Sequence, residues 1–193
     1  MSTKTKSPDL LDRQYWNGTI KMSLSKFFIL CVLHEKPLHG YDIAAEVEQK
    51  TDGCCSPREG TIYPILKQFT DGGYVTFETQ IVSGRERKIY TITDKGREEF
   101  RTLMLANLRD TDSEFSRLVI SLKFRFLRLL STEEQLSQID LLSNRTERDL
   151  DRLISLRDNF STQGRYFTDW VDTEISLAEQ RFGWLESLRE EIA

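Results

Sequence analysis

The sequence predicts a mainly α-helical protein that begins with a winged helix-turn-helix and continues as an all-helical domain. Residues 23–107 show three helical patterns, then two alternating strand patterns and a further helix, which is the element order of a winged helix-turn-helix. Beyond residue 107 there is no strand pattern and no proline. We therefore predict an arm at residues 1–22, a winged domain with a two-stranded wing at 23–107, and a helical dimerisation domain at 108–193.

The charge distribution assigns any contact with an anionic partner to the first half of the chain. The net charge is −4, made up of +1 over residues 1–107 and −5 over residues 108–193. Residues 81–97 hold five Lys and Arg residues against Glu86 and Asp94, a basic surplus of three. Because the protein is not basic as a whole, nucleic-acid binding is predicted from the location of this surplus and not from the total.

Apolar runs and cysteines indicate a cytosolic protein without a membrane segment. The longest apolar run, residues 27–33, is far shorter than the roughly 20 residues that span a bilayer. The N-terminus does not resemble a cleaved signal. Cys31, Cys54 and Cys55 show neither metal-ligand spacing nor an even disulfide framework, so we expect reduced thiols. A thiol switch at Cys54 and Cys55 remains the alternative, because Arg58 lies near them.

The first two helices are predicted from apolar periodicity. Residues 23–35 are apolar on nearly every side, which predicts a helix that is covered on more than one face. Residues 39–51 follow helical spacing, and Asp52-Gly53 stops this second helix. Residues 1–22 are polar, and we expect an arm, with or without a short helix, that contacts DNA or a partner subunit or stays disordered.

The third helix is predicted over residues 56–71. Ser56 and Glu59 have the spacing of a capping box, in which each side chain accepts from a backbone amide near the other residue. Pro64 cannot donate to the carbonyl of Gly60, and its ring crowds that carbonyl. We therefore predict a kink at Pro64 or a helix that effectively starts later.

Two alternating segments after the third helix predict a β-hairpin. Residues 74–82 and 87–93 alternate between two unlike faces, and Ser83-Gly84 supplies a short turn between them. A fourth helix follows to about residue 107, with Asp94 as its cap or Thr93 as the alternative.

Three long helical patterns complete the chain. The first carries apolar residues at helical spacing over 115–129, and the second opens at Ser131 with Glu134 as capping-box partner and runs to about residue 160. Gly164 interrupts the pattern, and the third apolar stripe covers residues 167–188. Trp170 and Trp184 lie four turns apart on it; we expect interface core, with an effector cavity as the alternative.

Three motifs in this order resemble those of the PadR family of transcriptional regulators. Residues 37–43, Pro-Leu-His-Gly-Tyr-Asp-Ile, resemble the family's PLHGYEI motif, and residues 59–66, Glu-Gly-Thr-Ile-Tyr-Pro-Ile-Leu, resemble its EGTIYPLL recognition-helix motif. Residues 87–93 with Gly96 are similar to its RKYYxLTxxG wing and exit. The helices after residue 107 are similar, by pattern alone, to the long virulence-activator-like C-terminal domain of one branch of the family.

This resemblance implies a bacterial regulator, usually a repressor, that binds a palindromic double-stranded DNA operator as a homodimer through its C-terminal helices and is released by a small effector. The residues themselves contain no nucleophile–base pair and no glycine-rich phosphate loop, and His34 and His39 lack partners at ligand spacing. We therefore expect no enzyme, no cofactor and no metal. A protein-interaction adaptor that keeps the winged fold without reading DNA remains the alternative.

Eight residues are candidates for DNA contact. They are Tyr41, Arg58, Thr61, Tyr63, Lys67, Arg85, Arg87 and Lys88. The four in the third helix would present hydroxyl and cationic groups to the major groove. Tyr41 lies at the start of the second helix, where its hydroxyl and the free amides suit a phosphate. The three hairpin cations would neutralise backbone phosphates. The alternatives are packing for the tyrosines and a solvated surface for the cations.

Overall fold

The computed structural model describes residues 20–51, 53, 59–82, 84–106, 114–160 and 164–193. They fall into two compact units that divide between Leu127 and Arg128. This division lies later in the chain than the domain boundary predicted at residue 107. The division describes how a single chain packs and does not test which residues form a dimer. The predicted arm, winged domain and dimerisation domain therefore stay predictions. Of the predicted arm at residues 1–22, residues 1–19 lie outside the described residues, as do Cys54 and Cys55, while residues 20–22 belong to the first helix.

The first unit holds five helices and a small antiparallel sheet within the described ranges. The helices are α1 (Ile20–Glu35), α2 (Gly40–Lys50), α3 (Glu59–Asp71), α4 (Asp94–Leu105) and α5 (Glu114–Phe126), and the strands are β1 (Leu38–His39), β2 (Val75–Val82) and β3 (Arg85–Ile92). The order of these elements confirms the winged helix-turn-helix.

Helix α1 forms the centre of the first unit. It starts at Ile20 and not at residue 23, and every residue from Phe27 to Leu33 is buried. It packs against α2, α3, α4 and β3, so it is covered on several sides, as the all-round apolar pattern predicts. The thiol of Cys31 is part of this core, and burial raises its pKa well above the usual value, with a smaller contribution from Glu35.

The sheet has the strand order β1-β3-β2, with antiparallel pairing throughout. Strands β2 and β3 form the predicted hairpin, and Gly84 in its turn has a φ of +74°, which a glycine adopts without strain. The short strand β1 was not predicted. It pairs Leu38 with Tyr90 and His39 with Ile89, and so joins the start of α2 to the wing.

The helix ends correct one detail of the sequence prediction, the cap of α4, and leave the kink predicted at Pro64 as a prediction. The side chain of Thr93 accepts from the amide of Gly96 at 3.1 Å, so Thr93 caps α4 and the expectation that Asp94 does so is wrong. Helix α3 continues from Glu59 to Asp71 across Pro64, which neither starts nor ends it. The capping box at Ser56 lies outside the described residues.

Helix α5 is held against the rest of the first unit by one ring contact and two hydrogen bonds. Phe126 is fully buried and lies edge-on to Phe100 with ring centroids 6.1 Å apart. The ammonium of Lys123 donates to the carbonyl of Ala106, and burial lowers the pKa of this ammonium to about 8. Arg125 Nη1 donates to the carbonyl of Lys50 at 3.4 Å, at the end of α2.

The second unit is a helical hairpin made of α6 (Thr132–Asn159) and α7 (Arg165–Ile192), preceded by a 3-10 turn at Leu127–Leu129. Ser131 and Glu134 form the predicted capping box, with N···O distances of 3.3 and 3.0 Å. The hairpin core contains buried residues of both helices, namely Leu153, Val171, Ile175 and Ala178. At the far end of the hairpin, Arg189 Nε lies 2.7 Å from Asp140 Oδ1.

No helix in the described ranges combines the length and the hydropathy that a bilayer span requires.

Candidate nucleic-acid interface

A surface groove of about 760 Å³ lies where the start of α2, the middle of α3 and the open edge of β3 meet. Its lining residues are His39, Gly40, Tyr41, Asp42, Tyr63, Glu86, Arg87, Lys88 and Tyr90. The groove forms here because β1 is only two residues long and pairs β3 no further than Ile89. The earlier residues of β3 therefore keep an open edge beside α2.

The ring of Tyr63 lies against the first residue of α2. A Cβ added at Gly40 would lie 2.7 Å from Tyr63 Cε1 and 3.2 Å from its Cζ and Oη, closer than real Cβ atoms approach their neighbours. Only a glycine therefore admits the ring at this distance. The contact holds the Tyr63 hydroxyl beside the start of α2, where the free amides of a helix N-terminus favour an anion.

His39 connects the start of α2 to the wing. Its ring Nδ1 donates to the carbonyl of Lys88 at 3.3 Å, and since a carbonyl only accepts, this nitrogen carries the proton. The side chain of His39 makes no capping bond, although the residue is the N-cap of α2. The backbone of His39 therefore lies at the start of α2, while its side chain bonds to the edge of β3.

Three tyrosines line the groove. Burial raises the pKa of Tyr90, with a smaller contribution from Tyr63 across the groove. Tyr63 is half exposed, at 47%, and Tyr41 is 65% exposed on α2. Two accessible hydroxyl groups therefore border the groove, which is the kind of donor that contacts phosphate oxygens.

The cations of the groove lie on β3. Lys88 Nζ lies 4.0 Å from the centroid of the Phe77 ring, a cation–π contact that fixes the position of the ammonium on the wing. Arg87 is exposed at the strand edge. Asp42 and Glu86 line the same groove, so its charge is mixed and not uniformly positive.

Four of the eight predicted contact residues line this groove. They are Tyr41, Tyr63, Arg87 and Lys88. Lys67 lies elsewhere on α3 and forms an ion pair with Asp71, with an N···O distance of 2.6 Å. Arg58 lies outside the described residues, as do the side chains of Thr61 and Arg85, whose backbones belong to α3 and β3.

The sequence reasoning did not include five residues of the groove. They are His39, Gly40, Asp42, Glu86 and Tyr90. Gly40 and His39 stand inside the motif at residues 37–43, which was the available signal for them. Glu86 was counted only as a charge opposing the basic surplus, because a net charge does not reveal which side of a strand carries which group.

The groups that line the groove are suited to binding a ligand and not to catalysing a reaction. Hydroxyls, an imidazole, two cations and the amides at the start of α2 converge on one concave surface, which is a set of donors for an extended anionic ligand. In the part of the chain that the structure describes, there is no group of three His, Cys, Asp or Glu residues that could hold a metal ion. The fold and the groove thus define a winged helix-turn-helix of the kind that contacts DNA.

Comparison with known families agrees with this class. Residues 29–102 match the family described as "Transcriptional regulator PadR-like family", and residues 79–189 match the one described as "Putative AphA-like transcriptional regulator". The second match covers more than half of the chain. The chain therefore belongs to the AphA-like transcriptional regulators, a family of regulators and not of enzymes, and its residues 29–102 are similar to the PadR-like family.

Individual relatives show the same likeness. A curated protein of Bacillus subtilis (strain 168), "Negative transcriptional regulator PadR", is 36% identical over 85 residues, which are 44% of this chain and 47% of that protein. The match thus spans about half of the length of this curated relative.

Two solved structures are similar over most of the chain. Bacillus subtilis PadR in complex with operator DNA is 24% identical, with 88% of this chain and 98% of that chain covered and a TM-score of 0.44. Bacillus subtilis PadR in complex with p-coumaric acid is 23% identical, with 89% and 96% covered and a TM-score of 0.40.

Proposed function

We propose that this regulator is a cytoplasmic repressor that binds a palindromic operator as a homodimer and is released by a small effector. Helix α3 enters the major groove, and the wing formed by β2 and β3 contacts the flanking backbone. Repression is proposed because the curated relative is a negative transcriptional regulator. The effector is proposed from the motif resemblance, and it must bind the DNA-bound and free conformations with different affinity in order to act.

The observation that carries the proposal is the groove between α2, α3 and the wing. Tyr41, Tyr63, Arg87 and Lys88 reach it from three separate elements. Winged helix-turn-helix domains contact the phosphate backbone with donors from both helices of the helix-turn-helix and from the wing. The donors of this groove come from the same three elements. An operator phosphate in the groove receives hydroxyl donors from α2 and α3 and a positive charge from β3.

The homodimer is proposed from a second apolar stripe on α7. Tyr166, Trp170, Leu177 and Trp184 are each at least half exposed in the single chain. The last three repeat every seven residues, so they stay on one side of the helix with a drift of about 20° per heptad. A neighbouring side of α7 packs against α6 through Val171, Ile175 and Ala178. The remaining stripe suits the same stripe on a second copy, as in an isologous interface.

A footprint of the purified protein on the DNA that flanks its own gene tests the proposal. Protection of two symmetric half-sites about 34 Å apart, or at a multiple of this distance, is the expected result. An absence of salt-dependent gel shifts and of heparin retention would refute DNA binding and favour the protein-interaction adaptor.

Charge variants of the wing test the role of the groove. Replacing Arg87 and Lys88 with Gln should reduce the slope of log affinity against log salt by about 1.8 per site, because each phosphate contact contributes about 0.9. Arg101→Gln is the matched control, since this exposed cation lies on α4 outside the groove and pairs with Glu98. An unchanged slope in the double variant would remove the wing from the interface.

The dimer is tested separately by sedimentation. Leu177→Glu should convert the protein to monomers, because it introduces a charge into the apolar stripe at its centre. Ser176→Glu is the control, since this exposed residue lies about 100° around the helix from Leu177. A dimer that persists in the Leu177 variant would exclude this face.

A further inference from the structure

The register of the wing separates its side chains into two sets. Phe77 pairs with Tyr90, Thr79 with Lys88 and Ile81 with Glu86, and these residues project from one side of the hairpin, here called the Tyr90 side. The alternate residues, among them Glu78 and Gln80, project from the other side. Arg87 belongs to this second set and lines the groove from the open edge of β3. Since Tyr90 is buried and lines the groove, the Tyr90 side faces the α2–α3 surface.

The outermost pair on the Tyr90 side is Ile81 with Glu86. Ile81 is 78% exposed, and Glu86 is exposed and borders the groove. An isoleucine and a carboxylate offer nothing to a phosphate, and the carboxylate repels one. Both are suited to base edges and sugars, where a carboxylate accepts from an amino group and an alkyl group makes apolar contact.

From this placement we infer that Glu86 is a specificity-determining residue, which selects a G·C base pair beside the sequence read by α3. This inference rests on the proposed DNA-binding function. A carboxylate only accepts, and in the minor groove the guanine N2 amino group is the one base donor, so a wing carboxylate placed there selects a G·C pair; in the major groove cytosine N4 is its usual partner, although adenine N6 also donates. At other sequences Glu86 meets phosphate or an unmatched edge and lowers the affinity.

The surroundings of Glu86 leave its carboxylate available for this role. Glu86 forms no ion pair with any other residue that the structure describes. The nearest cation on its own side of β3, Lys88, is held over the ring of Phe77 at 4.0 Å. A carboxylate that none of the described cations pairs with can accept from a base and repel a phosphate.

The experiment is a selection of bound sequences from a library of random duplex DNA, carried out with the wild type, with Glu86→Gln and with Glu78→Gln. Glu78 is the matched control, since it is an exposed glutamate of the same hairpin on the side opposite to Glu86. Fluorescence anisotropy then measures the affinity of each protein for the selected duplex and for every single base-pair replacement in it.

The wild type and the Glu78 variant should prefer G·C about tenfold at one position flanking each half-site, and Glu86→Gln should lose this preference while keeping the central sequence. A Glu86 variant with an unchanged profile, or one that binds all duplexes more tightly by a common factor, would overturn the inference and leave DNA binding intact. A wild type that enriches no sequence would refute the proposed function itself.

Discussion

The contact between Gly40 and Tyr63 predicts that a substitution at Gly40 weakens DNA binding while the protein stays folded. In Gly40→Ala, the new Cβ starts 2.7 Å from Tyr63 Cε1, and an ordinary contact needs at least 3.4 Å, so one side must move by about 0.7 Å or more. The backbone at Gly40 is held by the pairing of β1 with β3 and by the bond from His39 to Lys88. The half-exposed Tyr63 ring is the part that can move.

Gly40→Ala is expected to reduce the affinity for DNA without unfolding the protein. Overpacking costs about 1–3 kcal/mol, and replacing a helical glycine with alanine returns up to about 1 kcal/mol, so the free energy of unfolding should fall by about 3 kcal/mol or less. A displaced Tyr63 hydroxyl loses a hydrogen bond to a charged phosphate, worth about 1.5–3 kcal/mol. Operator affinity measured by anisotropy should therefore fall at least tenfold while the protein stays folded.

A double-mutant cycle identifies the cause. If Gly40→Ala acts through the Tyr63 hydroxyl, it should have little further effect on affinity in a Tyr63→Phe background, where that hydroxyl is already absent. Gly183→Ala is the control, because a Cβ at this exposed position of α7 has no neighbour within 4 Å. Equal losses of affinity for Gly40→Ala in both backgrounds would refute the reasoning.

Three further predictions concern stability, each measured by denaturant unfolding. Phe126→Ala should lower the free energy of unfolding by about 3–5 kcal/mol, because this ring is fully buried, and a loss below 1 kcal/mol would contradict its place in the core. Ser131→Ala should cost about 1 kcal/mol, since it removes the acceptor for the Glu134 amide; an unchanged stability would exclude the cap. Burial and Arg97 lower the pKa of His34 in the folded state, so unfolding takes up a proton and stability should decrease as the pH falls below the unfolded value of about 6.5. His34→Gln should reduce that pH dependence, and an equal dependence in both proteins would assign it to other groups.

Much of the fold could be predicted because its signals are local and periodic. The all-round apolar pattern of α1 and the capping box at Ser131 each depend on residues within a few turns of one another. The hairpin was likewise visible in its alternation and its Ser83-Gly84 turn. Strand β1 had no such signal, since two residues show no period and pair only because α2 meets β3 in three dimensions.

The cap of α4 and the composition of the groove are not determined by local sequence patterns. Thr93 and Asp94 are equally good cap types, and the choice of Thr93 depends on the tertiary position of the chain, since its hydroxyl also donates to the carbonyl of Gly73, 2.7 Å away. The residues Tyr41, Tyr63 and Arg87 were identified from motifs, but their meeting in one groove follows from the packing of three elements. Glu86 was treated as an opposing charge because sequence alone does not say which neighbours a strand side chain faces.

The burial of α1 has a consequence for how the gene can change. From Phe27 to Leu33, seven consecutive codons specify side chains without a solvent-facing side. Most helices offer at least one face on which substitutions are nearly neutral. In this segment we expect a saturation mutagenesis library to retain only apolar residues of similar volume, so α1 would evolve more slowly than the groove that determines which DNA is bound.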